Sequence, residues 1–219
     1  MFGHDPILAK MAYHGYIPLI KTFLSRVETP RVLEVGLDRG VTTIPLVVFM
    51  SRFHKKYEFV GVDVKLQEQL LITIKNIDVA NDQKVNLYQE NSLKLLPELA
   101  KKGEKFDVIL IDGDHNYYTV KQELEHLEDL AKSTSLVLID DYHGRWSEKD
   151  LWYADREDYA SVQDATTKID TDKHGVKPAV DEYLEKNGTW ETKLLIQGEP
   201  ILLYKKKTTF NQNLFDVLS

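Results

Sequence analysis

Short apolar segments alternate with helix-length segments along the first 140 residues. Four of these apolar segments are rich in β-branched residues and almost continuously hydrophobic, which is typical of strands covered by helices on both faces. We predict strands at residues 31–36, Tyr57–Asp63, 106–112 and 135–140, with a weaker one at 84–88. Apolar residues recur at helical spacing in residues 42–53, 66–79, 92–101 and 119–132. The alternation predicts βαβ units and an α/β fold with a doubly wound, mostly parallel sheet.

The alternation stops after Asp141. Residues 142–175 are polar, aromatic and acidic without a clear period, and connections of this length are usually functional or disordered. We interpret them as a lid-like insertion forming a substrate wall; a surface excursion or oligomer contact is the alternative. A helix at Val176–Lys186 and a C-terminal antiparallel hairpin (residues 190–196 and 200–204) bring the sheet to seven strands. The prediction is a single domain over residues 1–219, with an N-terminal helical segment at 1–29.

Composition excludes several classes of protein. The chain has 219 residues, a net charge of −7 and no cysteine, so disulfides, thiolate metal sites and cysteine nucleophiles are excluded. No basic stripe favours nucleic acid, and no run of about 18 apolar residues predicts a membrane span. The first residues lack the pattern of a signal peptide, so we expect a cytoplasmic protein. Oligomeric state is left open, a homo-oligomer included.

The first strand-to-helix turn, VLEVGLDRG, carries the first candidate site. Gly36 lies where the backbone turns sharply, and Gly40 allows the helix to begin close to a ligand. A dinucleotide turn needs glycine two residues after the first, and Asp38 stands there. A carboxylate repels a diphosphate, so NAD and FAD are disfavoured. S-adenosylmethionine has no phosphate and carries an amine and a sulfonium, so an acidic lining favours it.

Two acidic residues extend this candidate cofactor site. Glu34 lies inside an apolar strand, where an ionised group is costly without a partner. It is a cofactor-binding residue or a structural carboxylate that accepts hydrogen bonds from a nearby loop. Asp63 ends the second strand, where an acidic side chain typically holds a ribose diol. A simple helix N-cap is the alternative for Asp63.

The motif ExGxxxG, the acidic end of the second strand and the sequence ENS after the third resemble class I S-adenosylmethionine-dependent methyltransferases. The resemblance implies a Rossmann-like fold and a contact between the adenine and the loop at Asn91 and Ser92. It also implies that the N-terminal stretch 4–16 folds over the cofactor, which would bring His14 to the pocket.

The strand ends IDGDHNYYTV and LIDDYHG carry a cluster of acids. Neighbouring parallel strands would place Asp112, Asp140 and Asp141 around one crevice, and clustered carboxylates repel each other unless a cation is present. Oxygen donors favour Mg²⁺, with Ca²⁺ and Mn²⁺ as alternatives. Singly, Asp140 and Asp141 are compatible with turn formers and Asp114 with a helix N-cap.

These motifs resemble the metal-dependent O-methyltransferases, above all the sugar and macrolide branch (methyltransferase family 24 type), with catechol-type enzymes as relatives. The resemblance implies Asp112, Asp140 and Asp141 as metal ligands, with Asp112 also at the cofactor. We expect Mg²⁺ to activate a hydroxyl of a small acceptor, and His115, Asp114 or His143 to take its proton. Aromatic rings such as those of Tyr117 and Tyr142 are candidates to face the sulfonium.

Three alternatives stay open. A class I methyltransferase without catalytic metal would transfer methyl by proximity alone. A non-catalytic cofactor-binding module would work through its inserted segment as a partner surface. An NAD oxidoreductase is the reading that Asp38 argues against. The acceptor is not set by the sequence.

Overall fold

The computed structural model describes residues 16–194 and 200–205. Its centre is a sheet of seven strands in the order β3-β2-β1-β4-β5-β7-β6. The strands are β1 (Arg31–Val35), β2 (Tyr57–Asp63), β3 (Gln83–Gln89), β4 (Phe106–Ile111), β5 (Ala131–Ile139), β6 (Trp190–Leu194) and β7 (Ile201–Lys205).

Strands β1 to β5 pair in parallel, whereas β7 is antiparallel to both β5 and β6. Strand order reverses at β1, with β2 on one side and β4 on the other. The predicted Rossmann-like, doubly wound sheet with a C-terminal antiparallel pair is therefore confirmed. Ligands bind at this reversal in open α/β sheets, outside the carboxyl ends of the strands.

Helices cover both faces of the sheet. They are α1 (Ile17–Leu24), α2 (Thr43–Phe53), α3 (Glu68–Lys75), α4 (Ser92–Lys101), α5 (Tyr117–Leu124), α6 (Leu127–Leu130) and α7 (Val176–Lys186). One hydrophobic core lies between one face of the sheet and helices α4, α5, α6 and α7. A second hydrophobic core lies between the other face and helices α1 and α2. Burial on both faces explains why the central strands are almost continuously apolar.

Helix α4 and helix α7 have the predicted bounds. The single helix predicted at 119–132 is wrong: α5 ends at Leu124, and β5 begins at Ala131. Ala131 pairs with Phe106 before a register shift in the ladder. Ser135 stabilises the shift because its hydroxyl accepts from the Lys132 amide (2.7 Å) and donates to the Phe106 carbonyl (2.6 Å). A local hydrogen-bond network therefore overrides the helical spacing of the apolar residues.

Helix α3 is shorter than the predicted 66–79, because it begins only at Glu68 and ends at Lys75. The predicted helix at 4–16, the hairpin link at 197–199 and the C-terminal tail lie almost wholly outside the described residues. Within 16–194 and 200–205, no helix is long and apolar enough to cross a membrane.

Candidate functional site

A cleft of about 550 Å³, including its space open to solvent, lies at the carboxyl ends of the parallel strands. The loops after β1, β2, β3 and β4 each contribute to its lining, and the inserted segment closes one side. Of the residues predicted to bind a cofactor, six line the cleft: Gly36, Asp38, Asp63, Asn91, Ser92 and Asp112.

Gly36 allows the loop after β1 to pack against the loop after β4. Its φ is +83°, and a Cβ at this position would lie 1.9 Å from the Asp112 carbonyl oxygen. Only glycine fits both requirements. Gly40 also has a positive φ, but a Cβ there would meet the Leu70 side chain, and Gly40 does not line the cleft. Its absent side chain makes room for helix packing.

The Asp63 carboxylate organises the same turn. One oxygen accepts from the amides of Leu37 (2.8 Å) and Asp38 (3.1 Å), and the other accepts from the Lys65 amide (2.9 Å). Asp38 has a φ of +38°, in the left-handed region that aspartate tolerates better than most residues. Asp63 therefore both fixes the turn after β1 and lines the cleft.

Glu34 is buried behind the cleft lining. Its carboxyl group accepts a hydrogen bond from the Thr43 hydroxyl (2.9 Å) at the start of α2. Its pKa is raised to about 8, mainly by burial and also by the Asp63 charge, although the hydrogen bond from Thr43 lowers it. These contacts match the structural alternative for Glu34; a contact with cofactor stays a prediction.

Asn91 caps α4 and reaches the inserted segment. Its Oδ1 accepts from the Leu93 amide (2.8 Å), and its Nδ2 donates to the Asp164 carbonyl (2.7 Å) and the Thr166 hydroxyl (3.0 Å). Both amide hydrogens of Asn91 thus bond to the inserted segment, so this side chain attaches the segment to the start of α4.

Ser92 forms a hydrogen bond with a buried glutamate, Glu123, that the sequence did not indicate as a site residue. Its hydroxyl donates to Oε1 of Glu123 (2.6 Å), which lies on α5 and is 1% exposed. Burial raises the pKa of Glu123 to about 8. The helical pattern did not indicate that Glu123 is buried, because this residue lies beside the apolar stripe of α5 among other charged residues.

The acids after β4 and β5 meet at one end of the cleft. Asp112, Asp140 and His115 bring ligand atoms within 4.8 Å of one another, as a metal site requires. The Asp112 and Asp140 carboxyl groups thus lie close together. Burial and the Asp140 charge hold the pKa of Asp112 well above its ordinary value. Without a cation, such a pair retains a proton.

Asp141 takes a different position from the one that the resemblance implied. Its Oδ1 accepts from the Trp146 amide (3.4 Å), and its Oδ2 lies 3.5 Å from Nδ1 of His115. It is not among the described groups that could hold an ion together. Ligation by Asp141 therefore stays a prediction, and its carboxylate lies against the His115 imidazole.

The three candidate bases lie in different surroundings. His115 is 7% exposed, and burial lowers its pKa to about 4, so the imidazole is neutral at pH 7. Asp114 lines the cleft, accepts from the Tyr153 amide (3.0 Å) and has its pKa raised to about 6 by burial. His143 is exposed and stacks edge-on against Tyr142, away from the cleft lining.

The aromatic rings in the cleft differ from those expected. Tyr117 donates to Glu182 and Tyr142 donates to Asp181, and neither ring lines the cleft, so that prediction is wrong. Tyr153 and Tyr159 of the insertion line it instead. On the far side Tyr16 is buried, shares a hydrogen bond with Thr42 (3.1 Å), and has its pKa raised by burial and by nearby acids that include Asp112.

The family of the chain follows from a match to residues 33–142, half of its length, by a family described as a methyltransferase domain. The chain belongs to this methyltransferase family. The match spans β1 to the end of β5, and so covers the loops that line the cleft and the acid cluster. No curated protein matches the sequence.

Solved structures share the fold at low identity. A methyltransferase from the mycinamycin biosynthetic pathway, solved with Mg and S-adenosylhomocysteine (SAH), is 15% identical, with a TM-score of 0.53 over 94% of this chain and 51% of that one. The chain thus spans about half of that enzyme. A TDP-rhamnose 3'-O-methyltransferase of calicheamicin biosynthesis is 14% identical (TM-score 0.56; 92% and 80% covered). An SAH-bound methyltransferase from Podospora anserina is 15% identical (TM-score 0.53; 93% and 83% covered).

Proposed function

We propose that this methyltransferase transfers the methyl group of S-adenosylmethionine to a hydroxyl of a small acceptor with the help of a divalent metal. The observation that carries the proposal is the position of Asp112, which lines the cofactor cleft and also belongs to the acid cluster. A cofactor in the cleft and an ion in the cluster would therefore be neighbours. The fold similarity to O-methyltransferases supports the same reaction.

The charge of the cleft suits S-adenosylmethionine. Asp38, Asp63 and Asp112 surround it, and an acidic lining favours the cationic amine and sulfonium. We assign the ribose to Asp63 and the adenine to the loop at Ser92. We assign the methionine part to the turn at Gly36 and Asp38.

The acid cluster fits a metal ion by the chemistry of its donors. Without a cation the two carboxyl groups retain a proton, and a bound divalent ion would displace it. The His115 imidazole beside them is neutral. We propose Asp112 and Asp140 as ligands of Mg²⁺ or Mn²⁺. Such an ion supplies Lewis acidity that lowers the pKa of a hydroxyl next to it.

His115 is the proposed general base. Its Nε2 lies 3.7 Å from Asp112, facing the cluster, and its Nδ1 lies 3.5 Å from Asp141, which can orient the ring. A neutral imidazole accepts a proton from the acceptor hydroxyl, whose oxygen then attacks the methyl carbon as the bond to sulfur breaks. Positioning of the two reactants supplies most of the acceleration. Asp114, engaged with the Tyr153 amide, holds the insertion instead.

Transfer of tritiated methyl from S-adenosylmethionine to a panel of catechols and sugars with adjacent hydroxyls tests the proposal, alongside calorimetric titration with SAH. We expect turnover with Mg²⁺ or Mn²⁺, loss of turnover with EDTA, and a loss of about 100-fold or more in His115→Gln with SAH affinity retained. The exposed Asp129→Asn is the control. Turnover that persists in EDTA and in Asp140→Asn would show a metal-independent methyltransferase. Absence of SAH binding would show that the cleft is not a cofactor site.

A further inference from the structure

The inserted segment forms one wall of the cofactor cleft. Residues 142–175 contribute Tyr153, Tyr159, Ala165 and Thr166 to the lining. From the sequence we interpreted this segment as a lid or substrate wall. Its position against the loops after β2, β3 and β4 assigns it to the cofactor side of the site instead.

Two tyrosine rings of the segment pack together over the cleft. The ring centroids of Tyr153 and Tyr159 are 4.9 Å apart at an interplanar angle of 53°. The centroid of the Tyr153 ring lies 6.4 Å from that of His115 in the acid cluster, and the Tyr159 ring lies 5.0 Å from Nζ of Lys65 after β2. The pair therefore spans the cleft from the acid cluster to the loop after β2.

Two contacts hold the tyrosine pair from the strand ends. Asp114, after β4, accepts from the Tyr153 amide (3.0 Å). Lys65, after β2, donates to the Asp158 carbonyl (2.7 Å), and its Nζ lies 5.0 Å from the centre of the Tyr159 ring. The backbone of Tyr153 and the ring of Tyr159 are thus each held by a loop that lines or borders the cleft.

A third contact holds the far end of the segment. Asn91, after β3, donates both hydrogens of its amide to the segment, at Asp164 and Thr166. Lys94, one turn along α4, pairs with the Asp164 carboxylate at 2.5 Å. All three anchors lie at the rim of the cleft, so the segment cannot move away without opening the cofactor site.

We propose that Tyr153 and Tyr159 contact the bound cofactor, with Tyr153 facing the sulfonium and Tyr159 facing the ribose, and that Asn91 is a positioning residue that holds this aromatic wall. The assignment of Tyr153 rests on its place beside His115 in a cleft that Asp112 and Asp38 also line, where the cationic part of the cofactor lies under the proposed function. An aromatic ring attracts a cation over its face. SAH lacks the positive charge, so the two ligands distinguish this contact from simple packing.

Calorimetric titration of the full-length chain with S-adenosylmethionine and with SAH tests the proposal. We expect Tyr153→Leu to weaken S-adenosylmethionine binding by about tenfold and SAH binding by a smaller factor. Tyr159→Leu should weaken both ligands equally, whereas Tyr153→Phe and Tyr159→Phe should bind like the wild type because the ring is kept. Tyr88→Leu, on β3 outside the cleft lining, is the matched control.

Limited trypsin digestion separates the positioning role of Asn91 from a folding defect. In the wild type, SAH should slow cleavage after Arg156 and Lys168 of the segment. In Asn91→Asp, which keeps the acceptor that caps α4 but loses both hydrogens donated to the segment, the same cleavage should be faster and protection by SAH lost, with the thermal melting of the whole chain little changed. Ile169→Ala, exposed in the same segment, is the control.

The proposal depends on the proposed cofactor, and its failure is distinguishable from that of the cofactor assignment. If the wild type binds neither ligand, the proposed function fails first. If the wild type binds and both leucine variants keep their affinities within about twofold, the aromatic wall is wrong. Equal losses in the leucine and phenylalanine variants would assign the effect to the hydroxyl groups and overturn the role of the rings.

Discussion

Asp112 and Asp140 hold their carboxyl groups against each other at the ends of two neighbouring strands. Their closeness disfavours two negative charges, and burial together with the Asp140 charge raises the pKa of Asp112. An enzyme that binds a cation has a reason to keep such a pair, because the ion relieves the repulsion. Stability without metal and activity with metal should therefore respond to Asp140 in opposite directions.

We predict that Asp140→Asn raises the unfolding free energy of the metal-free protein at pH 8 by on the order of 1 kcal/mol, because the asparagine amide donates to Asp112 without needing a proton. The same variant should lose the rise in melting temperature that Mn²⁺ gives the wild type. Thermal unfolding with EDTA and with Mn²⁺ measures both effects. A variant still stabilised by Mn²⁺ would place the ion elsewhere.

Gly36 provides a second test at the residue scale. We predict that Gly36→Ala lowers the unfolding free energy by about 2–4 kcal/mol and weakens SAH binding, because the new Cβ would collide with the Asp112 carbonyl. Gly103→Ala is a matched control: its φ is also positive, at +72°, but no atom lies within 4 Å of the added Cβ. Equal losses in a urea titration would show that backbone conformation alone matters.

At the scale of secondary-structure elements, the carboxylate of Asp150 attaches the inserted segment to its neighbours. Asp150 accepts from the Tyr117 amide (2.9 Å) and the Gly175 amide (2.7 Å), and its other oxygen lies 2.7 Å from Nδ1 of His174. Tyr117 begins α5, and Gly175 immediately precedes α7. Asp150 thus joins the insertion to the beginnings of two helices.

We predict that Asp150→Ala lowers the unfolding free energy by about 2–4 kcal/mol, because two amides lose a charged acceptor. SAH binding should weaken as well, since the segment that carries Tyr153 loses an anchor. Urea unfolding and calorimetry measure the two effects, with the exposed Glu148→Ala as control. Unchanged stability would mean that water replaces the carboxylate at both amides.

The elements show what the sequence can and cannot predict. Helix α4 was predicted with its observed bounds because Asn91 is a strong N-cap in front of an apolar helical pattern. The break between α5 and β5 was missed because it depends on Ser135 bonding to Phe106, 29 residues away in the chain. Local patterns predict an element, whereas such long-range contacts decide where it ends.

The same distinction applies to the site. Gly36, Asp63 and Asp112 were predicted from their places at strand ends, which topology alone brings together. Tyr153 was expected only as part of the inserted wall, and Glu123 was not singled out as a buried acid, because neither lies at a strand end or in a motif. Their positions follow from how the insertion and α5 pack, and no periodicity in the sequence reports that packing.

At the scale of the whole molecule, two buried acids lie on opposite faces of the sheet. Glu34 packs with α2 on one side, and Glu123 belongs to α5 on the other. The pKa of each is raised to about 8 by burial. Above the ordinary pKa of glutamate the unfolded chain releases these protons while the folded chain keeps them, so stability falls as pH rises towards 8 and changes no further above it.

We predict that the unfolding free energy of the metal-free protein decreases between pH 5 and pH 8 by at least about 1.4 kcal/mol for each of the two groups. The double variant Glu34→Gln with Glu123→Gln should reduce the decrease by the share of these two groups, leaving that of Asp112 and Asp114, and the exposed Glu125→Gln should not change it. Urea titrations across this range with EDTA measure it. A wild-type profile that rises with pH would contradict the burial of protonated carboxyl groups.

In the proposed site, the cofactor and the metal ion lie on either side of Asp112. Anomalous diffraction from a crystal soaked with Mn²⁺ and SAH tests this most directly. We predict one manganese peak between Asp112 and Asp140, next to His115, and SAH density in the cleft against Tyr153 and Tyr159. SAH density with no manganese peak at this cluster, at a saturating concentration of the ion, would contradict a metal-dependent mechanism.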